Sequence, residues 1–315
     1  MMRIARVAGV AALVVSASVG AGFAGTAIWH ARAGTSVSRA PIIWRKTHFV
    51  LGAVVYDLQA FDWAIGHPAN LRVVFMPWRS TYFPGRAVVN DAKLGAQTVI
   101  ELQPKHQSLR AIGLGRYDHW LRTVFAKDAA AVGQPITVSF ASEMNGPWYH
   151  WGSSSSGDFI RAWRHIHDLL SGTKAGKLIT WLWQPSAIHY GTPSPTRWWP
   201  GSKYVNVIGL DGYYTLPQDN FQAIFARTIR QMRRLTNRPI MVGETAIGAN
   251  TGREIPDMKN LFAGIAHWHL IGLVWFNIGQ HGNIYHEDWR LQNHPELLRT
   301  FRAELSRAVR QAAVG

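Results

Sequence analysis

Two carboxylates, Glu143 and Glu244, each close a short apolar run and stand among residues suited to handling a polar, flat-faced ligand. The first lies in FASEMNGPWYHWG, Phe140 to Gly152, where one acid is set among aromatics, an amide and two glycines. The second ends PIMVGETA. A pair of facing carboxylates suits hydrolysis of a glycosidic bond: one protonates the leaving oxygen while the other attacks the anomeric carbon or activates water. A spacing of about 5 to 5.5 Å leads to retention of configuration. Trp78, Trp148, Trp151, Trp183, Tyr213 and Trp275 fall at or just beyond the ends of similar runs, where flat rings make stacking platforms for sugar faces. Asn145, two residues after Glu143, joins Trp78, Trp148, Trp151, Tyr213 and Trp275 as a substrate-binding candidate.

Such a pair works only if the chain brings two distant segments together. Eight β-branched or apolar runs recur with helix-like spacers between them, at 48–55, 71–78, 96–104, 135–143, 178–185, 205–214, 239–246 and 270–278. Nearly continuous apolar runs indicate strands buried on both faces, hence parallel strands with crossover helices. RYDHWLRTVFAKDAAAV carries Tyr117, Trp120, Leu121, Val124 and Phe125 on one stripe. HPELLRTFRAELSRAVRQ opens with Pro295 and repeats Leu297/Leu298, Phe301 and Leu305 at helical spacing. Eight β/α units after the leader predict a single-domain (β/α)8 TIM barrel, with an open doubly wound sheet as the alternative. In a barrel, the ends of strands four and seven face each other across the mouth; in an open sheet they lie far apart. Glu101 reads as a rival acid that points outward or pairs with Lys or Arg. Asp211 reads as a hydrogen-bonding orienter, and Glu287 and Asp288 as residues of a solvated loop, with capping of the mouth as the alternative.

Other chemistries are excluded or poorly supported. The 315 residues contain no cysteine, so disulfides, thiolate metal sites and a cysteine nucleophile are ruled out. His165/His167 and His267/His269 are two apart on predicted helices and diverge, which argues against a metal site. No HExxH, Walker loop or GxSxG is present. The formal net charge is +15, or +12 without Arg3, Arg6 and Arg32. Much of the arginine lies on predicted amphipathic helices, the pattern of a solvated face, and no nucleic-acid module is visible. Residues 1–33 form a basic start followed by a Gly/Ala/Val-rich run, read as a signal peptide or a signal-anchor; Ala31-Arg32-Ala33 offers a cleavage site. The expected product is an exported protein, secreted or anchored on the outer side of the cytoplasmic membrane, with residues 34–315 as the catalytic domain.

FASEMNGPWYHWG resembles the acid/base segment of glycoside hydrolase family 26, the bacterial β-mannanase family, in which a His-Glu-Met-Asn-Gly run is followed by tryptophan. VVFMPW, WWPGSKYVNVIGLDGYY, RPIMVGETA, LVWFNI and HEDWRL resemble further parts of that family along nearly the whole chain after the leader. The resemblance implies a retaining endo-β-glycanase that needs no cofactor or metal. Its substrate would be a β-linked polysaccharide such as β-1,4-mannan, with mixed-linkage glucan and xylan as alternatives. By resemblance Glu143 is the acid/base and Glu244 the nucleophile, Trp148 lines the sugar site, Tyr213 hydrogen-bonds the nucleophile, and Trp275 lies beneath the sugar. Two departures stand out: Ser142 occupies the position of the family's histidine, and Leu102-Gln103-Pro104 replaces a Trp-Glu-Pro. The first keeps a second class open, a glycan-binding protein of the envelope or of exopolysaccharide metabolism with weakened turnover.

Overall fold

The structure is a computed structural model and describes residues 48–189, 191–279 and 287–314. Each of the eight apolar runs contains one parallel strand: β1 (Val50–Val54), β2 (Leu71–Pro77), β3 (Gln97–Gln103), β4 (Ile136–Phe140), β5 (Ile179–Trp183), β6 (Val207–Asp211), β7 (Ile240–Thr245) and β8 (Gly272–Phe276). They pair in sequence order and close as a barrel, β1 meeting β8 from Val50↔Gly272 to Val54↔Phe276. Closure leaves no edge strand and excludes the open sheet.

The strands are apolar on both faces because one face fills the barrel and the other meets the helices. Inside, Gln97 Nε2 donates to Thr137 Oγ1 at 2.8 Å, both residues buried. Outside, Trp181 packs on Trp163, and Trp183 on Trp199. The outer layer comprises α1 (Leu58–Ile65), α2 (Gly85–Lys93), α3 (Leu109–Gly113), α4 (Asp118–Trp120), α5 (Lys127–Val132), α6 (Ser156–Ser171), α7 (Arg227–Leu235), α8 (Glu254–His267) and α9 (Pro295–Val314). α4 continues through a π-helical stretch, Leu121–Ala126, into α5, and the predicted stripe is used: Trp120 packs on Trp78, and Phe125 on Phe83. α9 closes the ring by seating Phe301 against Phe262 and Trp275.

The expectation of eight β/α units needs one correction. Between β5 and β6 there is no α-helix among the described residues, only short 3-10 turns at Pro195–Trp198 and Ser202–Tyr204. Prolines 193, 195 and 200 and glycines 191 and 201 interrupt this stretch; proline removes a helical donor and clashes with the preceding turn. No helix among the described residues is long and apolar enough to cross a membrane. The leader read at 1–33 lies outside the described residues.

Two local devices position the acids. On β7, Leu210 pairs with Val242 and Asp211 with Glu244, so Gly243 is an extra, bulged residue. A bulge resets the alternation of side chains and re-aims the next one. The bulge requires glycine: a Cβ there would lie 2.4 Å from Asp211 Oδ1 and 2.9 Å from the backbone of Gly209. After β4 the chain makes a tight turn in which Ala141 and Glu143 take left-handed φ values of 49° and 54°. Such backbone costs about 1 to 2 kcal/mol per non-glycine residue and persists only when its surroundings impose it.

Candidate active site

The turn that carries Glu143 is held from three sides. Glu143 N–H donates to Gln184 O at 2.7 Å, and Trp151 Nε1 donates to Ser142 O at 2.8 Å. Asn145 Nδ2 donates to Ser186 O and Pro193 O at 2.8 and 2.9 Å, while its Oδ1 accepts from Ser186 N–H at 3.0 Å. These bonds offset the strained backbone and turn the Glu143 side chain back over the barrel. Glu143 therefore lies three residues past the end of β4 rather than on the strand.

Four carboxyl groups converge at the C-terminal mouth of the barrel: Glu101 from β3, Glu143 from the turn, Asp211 from β6 and Glu244 from β7. All are buried, and none belongs to an ion pair among the described residues. Glu143 Oε2 accepts the indole N–H of Trp148 at 2.7 Å. Glu244 Oε2 accepts the hydroxyl of Tyr213 at 2.6 Å. Glu101 points inward, contrary to the sequence reading, and accepts from Ser142 Oγ at 3.0 Å and Gln184 Nε2 at 2.9 Å. Asp211, expected to orient its neighbours by hydrogen bonding, has no hydrogen-bond partner for either oxygen among the described residues; the Gln184 amide stands beside it.

Burial and crowding dominate the electrostatics. Glu143 is pushed well above the usual carboxylate range by desolvation, a shift opposed by the Trp148 N–H and reinforced by the charge of Glu101. Glu244 is raised by desolvation and by the charges of Glu101 and Glu143, against the Tyr213 hydrogen bond. Asp211 is raised by burial and by all three neighbours. Four acids this close cannot all be ionised at neutral pH, so the mouth holds protons that an acid catalyst can deliver.

Several of the aromatics predicted at the mouth belong elsewhere, and these are corrections. Trp78 is buried among Tyr117, Trp120 and Phe140, between strands and helices. Trp275 faces outward onto Phe301 of α9, its Nε1 donating to Trp289 O at 3.0 Å, so its ring does not lie in the mouth. Trp183 likewise faces the outer layer. Trp151 is buried under the turn, and Asn145 clamps that turn to the loop after β5; both support the acid rather than offer themselves to a ligand. Trp148 alone of these tryptophans is partly exposed beside a carboxyl group.

Two aromatics enter that the sequence reading did not single out, and two acids of the loop after β8 are placed. Tyr149 stacks on Trp151 at 4.2 Å and feels the charges of all four acids. Trp289 stacks on Tyr213, the residue that donates to Glu244, at 5.0 Å, with Phe276 edge-on to both. Glu287 is buried rather than solvated: its oxygens accept Asn250 N–H at 2.6 Å and Trp289 Nε1 at 3.1 Å, which fixes the loop that carries Trp289. Asp288 pairs with Arg290, and that contact holds it well below the usual range. Among the described residues, no group of three or more His, Cys, Asp or Glu side chains is arranged to hold a metal ion.

Comparison with known proteins agrees with this geometry. The model of glycosyl hydrolase family 26 matches residues 122–290, just over half of the chain. A mannan endo-1,4-beta-mannosidase of Bacillus subtilis (strain 168) is 27% identical over 90 residues, covering 26% of this chain and 24% of its own length. Mannan endo-1,4-beta-mannosidase A and B of Caldalkalibacillus mannanilyticus is 28% identical over 92 residues, covering 26% of this chain and 17% of its own. The aligned stretch thus spans a quarter or less of either curated relative. Among solved structures, a modular endo-beta-1,4-mannanase from Cellulomonas fimi superposes with a TM-score of 0.63 at 15% identity, covering 85% of this chain and 73% of that one. The YdhT protein from Bacillus subtilis superposes with a TM-score of 0.61 at 18% identity, covering 79% and 85%. These two share the fold. With the family model spanning the segment from before β4 to beyond β8, which includes both Glu143 and Glu244, the chain belongs to glycosyl hydrolase family 26.

Proposed function

We propose that the protein is a retaining endo-β-glycanase acting on β-linked polysaccharide, with β-1,4-mannan as its substrate. The observation that carries this reading is the unequal treatment of two buried acids at one mouth. Glu143, kept protonated by burial, accepts the indole N–H of the partly exposed Trp148. Glu244 is held by a phenol that favours its ionised form. Glu143 donates its proton to the glycosidic oxygen as Glu244 attacks the anomeric carbon; Glu143 then deprotonates the incoming water. Trp148, partly exposed, borders the sugar. The names of the curated relatives favour mannan over mixed-linkage glucan or xylan. On the leader reading, the enzyme works outside the cytoplasmic membrane.

The test is incubation with β-mannan, mixed-linkage β-glucan and xylan, followed by sizing of the products. Mannan should yield a ladder of oligosaccharides. Release from another glycan alone would move the substrate, and binding without release would favour the second reading, a glycan-binding protein. The observation behind that reading is Ser142, which stands where the family places histidine.

The hydroxyl of Tyr213 is expected to matter to turnover rather than folding. Tyr213→Phe keeps the ring stacked on Trp289 but removes the 2.6 Å bond to Glu244. A hydrogen bond to a charged group contributes about 1.5 to 3 kcal/mol, so kcat/KM on mannan should fall roughly 10- to 150-fold. The lost bond had lowered the proton affinity of Glu244, so the acid limb of the pH profile should also move to higher pH.

A further inference from the structure

Two cations at the rim of the mouth, Arg79 and Lys105, join no ion pair among the described residues. Arg79 lies two residues past Pro77 and Lys105 two past Gln103, and Pro77 pairs with Gln103 across β2 and β3. Leu102 pairs with Phe140 across β3 and β4, and Lys105 and Glu143 each follow three residues later. Arg79, Lys105 and Glu143 therefore leave three successive strands at the same step. All three take left-handed φ values, of 60°, 54° and 54°. Neighbouring strands lie about 4.8 Å apart, which puts the backbone of Lys105 one spacing and that of Arg79 two, roughly 10 Å, from Glu143.

Both cations are set in closed turns. Ser80 N–H donates to Pro77 O at 3.1 Å, and Trp120 Nε1 holds that turn through Ser80 O at 2.9 Å; Gln107 N–H donates to Pro104 O at 2.9 Å. Arg79 is the third residue of the first turn and Lys105 the second of the other, and a positive φ at either place favours glycine or asparagine. The chain instead carries its longest cations there, and strained backbone of this kind concentrates at ligand sites. Arg79 is exposed; Lys105 is half-buried, and burial pushes its ammonium below the usual range. The exposed rings of His106 and His150, 4.3 Å apart, join the loop after β3 to the segment after β4. That segment carries Trp148, whose indole N–H reaches Glu143 Oε2 at 2.7 Å. Across residues 77–84, 104–108 and 141–155 the one acid is Glu143, and it is buried.

We infer that the rim over β2, β3 and β4 is a subsite for a carboxylate borne by the glycan, with Arg79 and Lys105 as its cations. The substrate is then an acidic β-glycan whose charged sugar lies about one or two rings from the bond cleaved. The inference deepens the reading of the mouth as a glycanase site and rests on it. A planar guanidinium takes a carboxylate through two parallel N–H bonds, and an ammonium adds a point charge. The charge of the buried acids opposes an anion at the cleavage point, while the cations favour one beside it. Attraction and repulsion together fix the register of the chain. The formal net charge of +15 also draws an acidic polymer from solution.

The probes are β-1,4-manno-oligosaccharides, neutral or with part of their C6 hydroxymethyl groups oxidised to carboxylates, titrated calorimetrically into Glu244→Ala. The carboxylated form should bind about tenfold more tightly at low salt, the gain expected of charge-assisted hydrogen bonds. That advantage should shrink in about 1 M salt, where charges are screened within about 3 Å. Adding Arg79→Gln and Lys105→Gln together should bring the ratio of the two affinities close to one. Equal or weaker binding of the carboxylated form would overturn the inference, as would a preference that survives both substitutions. A second measurement needs no variant: mass spectrometry of wild-type products from the partly oxidised glycan should find carboxylated units at a fixed position from the new ends, and random placement would overturn the subsite. If the wild type releases nothing from either glycan, the hydrolase reading fails, and the affinity ratio still decides the subsite.

Discussion

Glu244→Ala is expected to abolish hydrolysis, lowering kcat/KM on mannan by about 10⁴-fold or more, equivalent to roughly 5.5 kcal/mol of transition-state stabilisation. Alanine leaves no group on β7 to attack the anomeric carbon, and the other acids cannot take over. Glu101 is held by Ser142 and Gln184, and Asp211 stands one strand away at the β6 end. The variant should fold, because Glu244 makes no ion pair among the described residues and sits among other acids that raise its proton affinity.

The raised proton affinities of the mouth set how stability depends on pH. An acid whose folded pKa is raised contributes most to stability below its unfolded pKa, and the contribution is lost as pH rises through the folded value. Glu101, Glu143, Asp211 and Glu244 are all raised. The wild type should therefore lose stability from mildly acidic to mildly alkaline pH, and Glu244→Ala should lose less over the same range. Thermal unfolding at three or four pH values compares the two slopes; a steeper slope in the variant would contradict this reading of the mouth.

Glu143→Gln is expected to separate substrates by their leaving groups. Hydrolysis of glycan needs a proton on the departing oxygen, and losing a positioned general acid lowers the rate roughly 10²- to 10⁴-fold. An aryl glycoside with an acidic phenol leaves without that proton, so its first step should slow far less. Its second step still lacks a base for water, so a burst of phenol followed by slow turnover is expected. Azide, which needs no deprotonation, should restore turnover. Equal losses on glycan and aryl glycoside, with no rescue, would remove Glu143 from the acid role. The basic limb of the pH profile, assigned to deprotonation of Glu143, should disappear with the same substitution.

The barrel was legible because strands enclosed on both faces leave a strong imprint: eight apolar runs of eight to ten residues, separated by helix-like spacers. The same imprint hides which way each side chain points. In VIELQP Glu101 and Gln103 alternate with Ile100 and Leu102, which puts the two polar residues on one face of the strand without telling that it is the inner one. Trp183 ends β5 and Trp275 stands one residue before the end of β8, yet each lies one residue out of phase with an inward side chain, Gln184 and Phe276. Position at a strand end therefore does not make a tryptophan a sugar platform. Glu244 is inward only because Gly243 bulges, and a lone glycine in a strand does not reveal whether it inserts a residue. The turn after β4 is less visible still. Left-handed φ values fall on Ala141 and Glu143, where no glycine or asparagine marks them, and the turn is imposed by Trp151, Asn145 and the loop after β5.

Ser142 changes meaning once the neighbours are in place. In the sequence it is a missing histidine; in the fold its hydroxyl meets Glu101, and the two sit beside the nucleophile candidate as one hydrogen-bonded unit with Gln184. The long β5–β6 crossing, interrupted by proline and glycine, supplies Ser186 and Pro193 as acceptors for Asn145, which ties the turn carrying Glu143 to a loop with no α-helix among its described residues.

The most direct test of the account is the configuration of the first product. Proton NMR during early hydrolysis of a manno-oligosaccharide reads the anomer at the new reducing end before mutarotation mixes the two forms. Attack by Glu244 followed by attack of water inverts the anomeric carbon twice, so the β-anomer should appear first. The α-anomer appearing first would mean a single displacement by water and would contradict Glu244 as nucleophile.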